Sequence, residues 1–134
     1  MIVVDASVLA PALADDDQSG DTVRRRIASE ALAAPELVDL EVISVLRRAR
    51  RAGRLDDRRC AQAIADLRKL DLRRAPHLKL IERIWDLRDT LSAYDASYVA
   101  LAELLGAPLV TADAKLARAK RITCDVELLR VASR

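Results

Sequence analysis

Short apolar runs alternate with helix-length stretches along this chain, and no hairpin signal joins any two of the runs. Strands that cannot turn back on one another must cross over through helices, and such crossovers give parallel pairing. The first run, Ile2-Val3-Val4, is continuously apolar, as a strand buried on both faces requires. Further strands are predicted at 33–35, 70–72 and 109–111 and within 122–129. Helices are predicted from Asp5 or Ser7 to Ala14, over 21–32 with Asp21 as cap, over 36–51 and from Asp56 or Asp57 onward. Two more follow, one from Pro76 and one over 92–105, and a short one starts at Asp113. The 92–105 helix has the clearest ends, with a Ser92-x-x-Asp95 capping signature before it, Gly106 after it and Pro108 just beyond. The fold class is therefore α/β: a three-layer α/β/α sandwich around a central, mainly parallel sheet of four to five short strands.

With 134 residues, one domain spanning 1–134 is expected. Phe is absent, so the core must be built from Leu, Val, Ile and Ala. Lys and Arg total 23 against 21 Asp and Glu, a net charge of +2, too balanced to announce nucleic acid by itself. Cys60 and Cys124 have no CxxC spacing for zinc and read as buried free thiols. No apolar run approaches the roughly 18 residues of a membrane span, and no positive segment precedes the first run. A soluble, cytoplasmic protein is the expectation.

The chemistry lies in the acids. Sites in open parallel sheets form beyond the carboxyl ends of the strands. Asp5 follows the first strand directly, and Asp113 follows 109–111 by two residues. Glu41, between Leu40 and Val42, and Asp95, in the first turn of its helix, could reach the same edge. Each has a plainer explanation: Asp5 and Asp113 as N-caps, Asp95 as part of the capping box, Glu41 as a solvated helix residue. If the four converge, carboxylates about 4–5 Å apart repel by roughly 3–4 kcal/mol at an effective dielectric near 20. Protons or cations must then be bound, and hard oxygen donors without His or Cys select Mg²⁺ or Mn²⁺ over zinc.

Four stretches carry a resemblance: MIVVDASVLA, LVDLEVISVLRRA, LSAYDASYVALAELLGAPLVTADAKLARA, and a last strand near CDVELL. In this order, and over almost the whole chain, they resemble the PIN-domain nucleases, in particular the VapC-type ribonuclease toxins of bacterial toxin–antitoxin pairs. The resemblance implies that Asp5, Glu41, Asp95 and Asp113 form a metal-binding acidic cluster. Some members carry a further acid shortly after the last of these, whereas this chain reads Ala114-Lys115-Leu116-Ala117. Ser7 and Thr111 match small hydroxyl positions and either orient the carboxylates or cap helices.

The activity this implies is hydrolysis of RNA phosphodiester bonds by in-line attack of a Mg²⁺-bound water, leaving a 5′-phosphate and a 3′-hydroxyl. The resemblance also implies inhibition by a cognate antitoxin and a toxin homodimer, with apolar residues around Ile43 and Leu46 or Ile81 and Trp85 as candidate contacts. Arg47, Arg48, Arg50 and Arg51 are candidates for holding the RNA backbone, or form a solvated helix face. Arg24, Arg25 and Arg26 share that ambiguity. Tyr94 and Tyr98 are either stacking residues or core residues with a bonded hydroxyl. The alternative is a PIN-like or receiver-like α/β module that binds or signals without nuclease activity. A receiver would want paired acids after its first strand and a phospho-acceptor Asp after a middle one. This chain offers Asp5-Ala6-Ser7, and Arg73-Arg74 after Leu72.

Overall fold

The structure, a computed structural model, describes residues 1–131. Strands β1 (Ile2–Val4), β2 (Leu32–Pro35), β3 (Leu72–Ala75), β4 (Leu109–Thr111) and β5 (Val126–Leu128) form one sheet in the order β3-β2-β1-β4-β5. Every pairing is parallel. Among the described residues the helices are α1 (Ala6–Ala14), α2 (Gln18–Ile27), α3 (Leu37–Arg51), α4 (Asp57–Lys69), α5 (Ile81–Asp86), α6 (Ala93–Leu105) and α7 (Ala114–Ala117). The expected α/β/α sandwich is what forms. Helix α6 lies across β1, β2 and β4, while α1 packs against α2, α3 and α4.

Strand order explains where a site can form. From β1 the chain crosses to β2 and β3 on one side, then returns to β4 on the other. Crossovers leaving in opposite directions open a crevice between β1 and β4 at their carboxyl ends. Both strands are wholly buried, as their continuous apolar sequences demand. The core between layers is aliphatic, with Leu9, Leu87, Leu109 and Leu116 fully enclosed and Tyr98 the one aromatic among them.

Several element ends differ from the sequence expectation, each for a local reason. Helix α2 starts at Gln18, three residues before the expected start, because the Asp17 carboxylate accepts from the Gly20 amide at 3.2 Å. A Cβ on Gly20 would sit 2.0 Å from the Asp15 carbonyl oxygen, so only glycine lets this first turn lie against the end of α1. Leu32, expected to end α2, instead opens β2. Strand β3 begins at Leu72, since Leu70 is the C-cap of α4. Arg73 and Arg74 therefore lie within β3 and not after it, which an edge strand tolerates because alternate side chains reach water. Arg74 Nε donates to Asp39 at 2.7 Å. The helix expected from Pro76 breaks into a 3₁₀ turn, Leu78–Leu80, and the short α5. Helix α6 ends as predicted, on Gly106 in the left-handed conformation at φ 61°.

Cys60 is buried and Cys124 half-buried, both as free thiols. Among the described residues no helix is long and apolar enough to cross a membrane. Leu46 belongs to the core and is not a contact residue, whereas Ile43, Ile81 and Trp85 are exposed. The Arg88 guanidinium lies 4.6 Å above the Trp85 ring.

Candidate active site

A cleft of about 560 Å³ opens at the carboxyl ends of β1 and β4, and all four acids singled out in the sequence line it: Asp5, Glu41, Asp95 and Asp113. They arrive by separate routes. Asp5 terminates β1, and Asp113 stands two residues beyond β4 as the N-cap of α7. Glu41 projects from the second turn of α3, and Asp95 from the first turn of α6.

The capping explanations hold only in part. Asp5 occupies the N-cap position of α1, but its two carboxylate oxygens are engaged mainly by hydroxyls. Ser7 Oγ donates to Asp5 Oδ1 at 2.6 Å, and Thr111 Oγ1 donates to Asp5 Oδ2 at 2.6 Å. These hydroxyls are themselves fixed, Ser7 by the Ala112 amide at 2.8 Å and Thr111 by the Asp113 amide at 3.0 Å. Of the two readings of Ser7 and Thr111, the structure has them orienting a carboxylate. Asp113 does cap, accepting from the Lys115 amide at 2.9 Å through Oδ1, while still lining the cleft. Ser92 caps α6 by accepting the Asp95 amide at 3.1 Å.

Burial pushes the Asp5 carboxyl up, and the Asp113 charge adds to it. The Ser7 and Thr111 hydroxyls and the Val8 amide pull the other way. Asp95 is also raised, by burial first and then by Asp113, against the opposing Lys115 charge and the Ser92 hydrogen bond. Tyr98 is fully buried on α6, and its hydroxyl donates to Glu41 Oε1. Its phenol is held far above the usual range by burial, then by that hydrogen bond and the Glu41, Asp5 and Asp95 charges. It therefore stays a donor at any working pH.

The donor set fits a hard divalent ion. Carboxylate oxygens line the cleft, without imidazole or thiol, which is the chemistry of Mg²⁺ or Mn²⁺ sites and not of zinc. Among the described residues no three acid, imidazole or thiol side chains stand close enough to hold one ion between them. The four acids therefore line one cleft without forming a closed cage, and a hard ion keeping several waters would take one or two of them directly and meet the others through water.

The PIN domain profile matches residues 2–122. This chain belongs to the PIN-domain family. Within that family it is 46% identical over 129 residues to ribonuclease VapC9 of Mycobacterium tuberculosis strain H37Rv, which covers 96% of this chain and 98% of the relative. The crystal structure of M. tuberculosis VapC20 superposes with a TM-score of 0.67 at 24% identity, covering 87% of this PIN-domain chain and 93% of that one. PAE2754 from Pyrobaculum aerophilum gives a TM-score of 0.70 at 23% identity, covering 93% and 81%. Both share the fold of this PIN domain.

Of the arginines offered for RNA, only Arg48 lines the cleft. Arg50 is tied to Asp57, and Arg47 and Arg51 are exposed away from it. Arg24 is engaged with the Ala12 and Asp15 carbonyls and Asp21, and Arg26 with Glu127, so that cluster is largely structural. Tyr94 is exposed at the cleft, while Tyr98 is the core residue with a bonded hydroxyl. Ser44 also lines the cleft and was missed. Helical spacing could have found it: Ser44 and Arg48 lie three and seven residues after Glu41 on the same face, as Tyr98 lies three after Asp95. Tyr98→Phe keeps the packing and removes one donor from Glu41. We expect a stability loss of about 1 kcal/mol, read from urea unfolding.

Proposed function

We propose that the chain is a toxin endoribonuclease of a toxin–antitoxin pair, acting as one catalytic unit over its length, with Asp5, Glu41, Asp95 and Asp113 as the groups that hold Mg²⁺ or Mn²⁺. The observation that carries this reading is the meeting of four acids, from both ends of the sequence, in one cleft of a PIN-domain fold. The ribonuclease name of a relative 46% identical over 129 residues supports the activity. A bound divalent ion would supply an activated water and neutralise charge gathering on the phosphoryl oxygens.

The chain's own residues do the rest. Ser7 and Thr111 hold the two oxygens of Asp5, and Tyr98 fixes Glu41. Asp113 is steadied by the backbone of α7. Ser7 is committed to holding Asp5, its oxygen already accepting from the Ala112 amide, and His77 is not among the lining residues. Attack by water is therefore the reaction this geometry favours. The exposed rim of Leu40 and Tyr94 suits an inhibitory antitoxin segment laid over the acids. A homodimer completes the proposal, with Ile81 and Trp85 as exposed candidates for its interface.

Sequencing RNA ends after brief expression tests the activity. Wild type is expected to generate new 5′-phosphate ends that Asp5→Asn does not. Equal end profiles from the two proteins would refute it and favour a binding module of the same fold.

A further inference from the structure

Most arginines with a structural role here are engaged: Arg24, Arg26, Arg50, Arg59, Arg74 and Arg83 each pair with a carboxylate. A second cleft, of about 530 Å³, breaks that pattern. Lys115, Arg118, Lys120 and Arg121 line it, beside Asp89 and Thr90. Among the described residues none of these four cations forms a salt bridge. Four cations face one carboxylate in a chain whose whole formal charge is +2, so the rest of the molecule is slightly acidic.

The two clefts share a wall. Asp113, the N-cap of α7, lines the acidic one, and Lys115, whose amide it accepts at 2.9 Å, lines the basic one. The Lys115 charge is felt at Asp95 across that wall. Arg118, at the C-cap of α7, stands about 7.5 Å of helical rise beyond Asp113.

Arg121 adds a second observation. Its φ of 65° is the single positive value on a non-glycine among the described residues, a left-handed conformation that disfavours a residue with a Cβ. Its carbonyl accepts from Arg83 at 2.7 Å. Arg83 grips Glu103 through two hydrogen bonds, and Glu103 in turn takes the Thr123 amide and hydroxyl. A network is thus holding the Arg121 backbone in a conformation that glycine would adopt without strain.

We infer that this basic cleft, between α7 and the 118–121 turn, holds a backbone phosphate of the RNA strand whose scissile bond lies in the acidic cleft. The inference rests on the nuclease reading above. Four carboxylates repel a polyanion, and unpaired cations on the far side of one short wall offset that repulsion where the strand must pass. Guanidinium forks match phosphate oxygens, and binding releases counterions from the RNA. No aromatic side chain lines the cleft, so the backbone is gripped and not the bases.

The test measures binding of a fluorescein-labelled single-stranded RNA by anisotropy, in EDTA so that nothing is cut. The triple variant Arg118→Ala, Lys120→Ala, Arg121→Gly is compared with wild type and with a charge-matched control, Arg25→Ala, Arg68→Ala, Lys69→Ala. The expected result is affinity at least about tenfold weaker for the first triple, with the slope of log K against log salt shallower by about 0.7, as loss of one single-strand phosphate contact requires. In Mg²⁺ its KM for cleavage should rise with kcat nearly unchanged. Arg121→Gly alone should melt at or above the wild-type temperature while binding RNA less well, which a purely structural arginine would not do.

If both triples bind RNA alike while wild type still cleaves through Asp5, the subsite is overturned and the nuclease reading stands. If only the first triple loses RNA but wild type never cleaves, the nuclease reading falls and the phosphate site survives. Retention of RNA together with loss of an acidic partner protein would also overturn the inference, assigning the cleft to a protein.

Discussion

Asp95→Asn is expected to abolish Mg²⁺-dependent cleavage, by about a thousandfold or more, and at the same time to raise the melting temperature of the metal-free protein. The amide has the carboxylate's shape, and the Ser92 hydroxyl still accepts from the Asp95 backbone amide, so α6 keeps its start. What disappears is a negative charge that the fold holds uncomfortably, by burial and by Asp113. Relief of each kcal/mol of repulsion should add about 3 °C in a chain of this size. Stabilisation by added Mg²⁺ should shrink in the same variant.

The pH dependence gives this prediction a sign. Asp5 and Asp95 have raised folded-state pKa values, so the folded chain binds their protons more readily than the unfolded chain does. Metal-free stability should therefore increase as pH falls from neutral through those raised values. Glu103 and Glu127 are lowered, by Arg83 and Arg26 first, so what they contribute is lost as pH falls further, through their own folded values. The maximum should lie on the acid side of neutrality, and Asp95→Asn should flatten the rise toward it. Calorimetry in EDTA at several pH values measures this. An apo melting temperature and pH slope identical to wild type would mean the acids do not sense one another.

The second large effect is at Thr111, which touches no substrate. Thr111→Val preserves volume but strips the buried Asp5 Oδ2 of its 2.6 Å donor and the Asp113 amide of its 3.0 Å acceptor. Leaving two buried polar groups unpaired costs about 1–3 kcal/mol each at most, and loss of a residue that orients a metal-binding acid typically costs 10–100-fold in activity or metal affinity. We expect a lower melting temperature and a Mg²⁺ titration shifted to higher concentration, with Thr111→Ser recovering much of both. A merely structural hydroxyl would lower stability without moving the Mg²⁺ requirement.

The sequence made the strands legible where both faces are buried, because continuous apolar runs such as Ile2-Val3-Val4 and Leu109-Val110 have no other use in so short a span. Strand β3 was legible only in part. Edge strands need no apolar run, so Leu72-Arg73-Arg74-Ala75 gave little signal against the Leu70-Asp71-Leu72 alternation beside it. The cleft acids could be named because strand-end carboxylates and the family motifs coincide at Asp5 and Asp113, and a motif acid opens α6 at Asp95. What was not legible was the use of each arginine. Arg48 and Arg50 stand two apart on one helix, yet one faces the cleft and the other Asp57, a distinction set by rotation about α3 and by a loop partner.

The clamp on Asp5 joins residues separated by 104 to 106 positions. Proteins are made from the amino end, at about 5–20 residues each second, so Asp5 leaves the ribosome many seconds before Thr111 exists. Until β4 slots in beside β1, the first acid has neither its second hydroxyl nor its neighbouring carboxylate. A chain abandoned midway through translation therefore never assembles the acidic cleft, which closes only once β4 has been made and paired with β1.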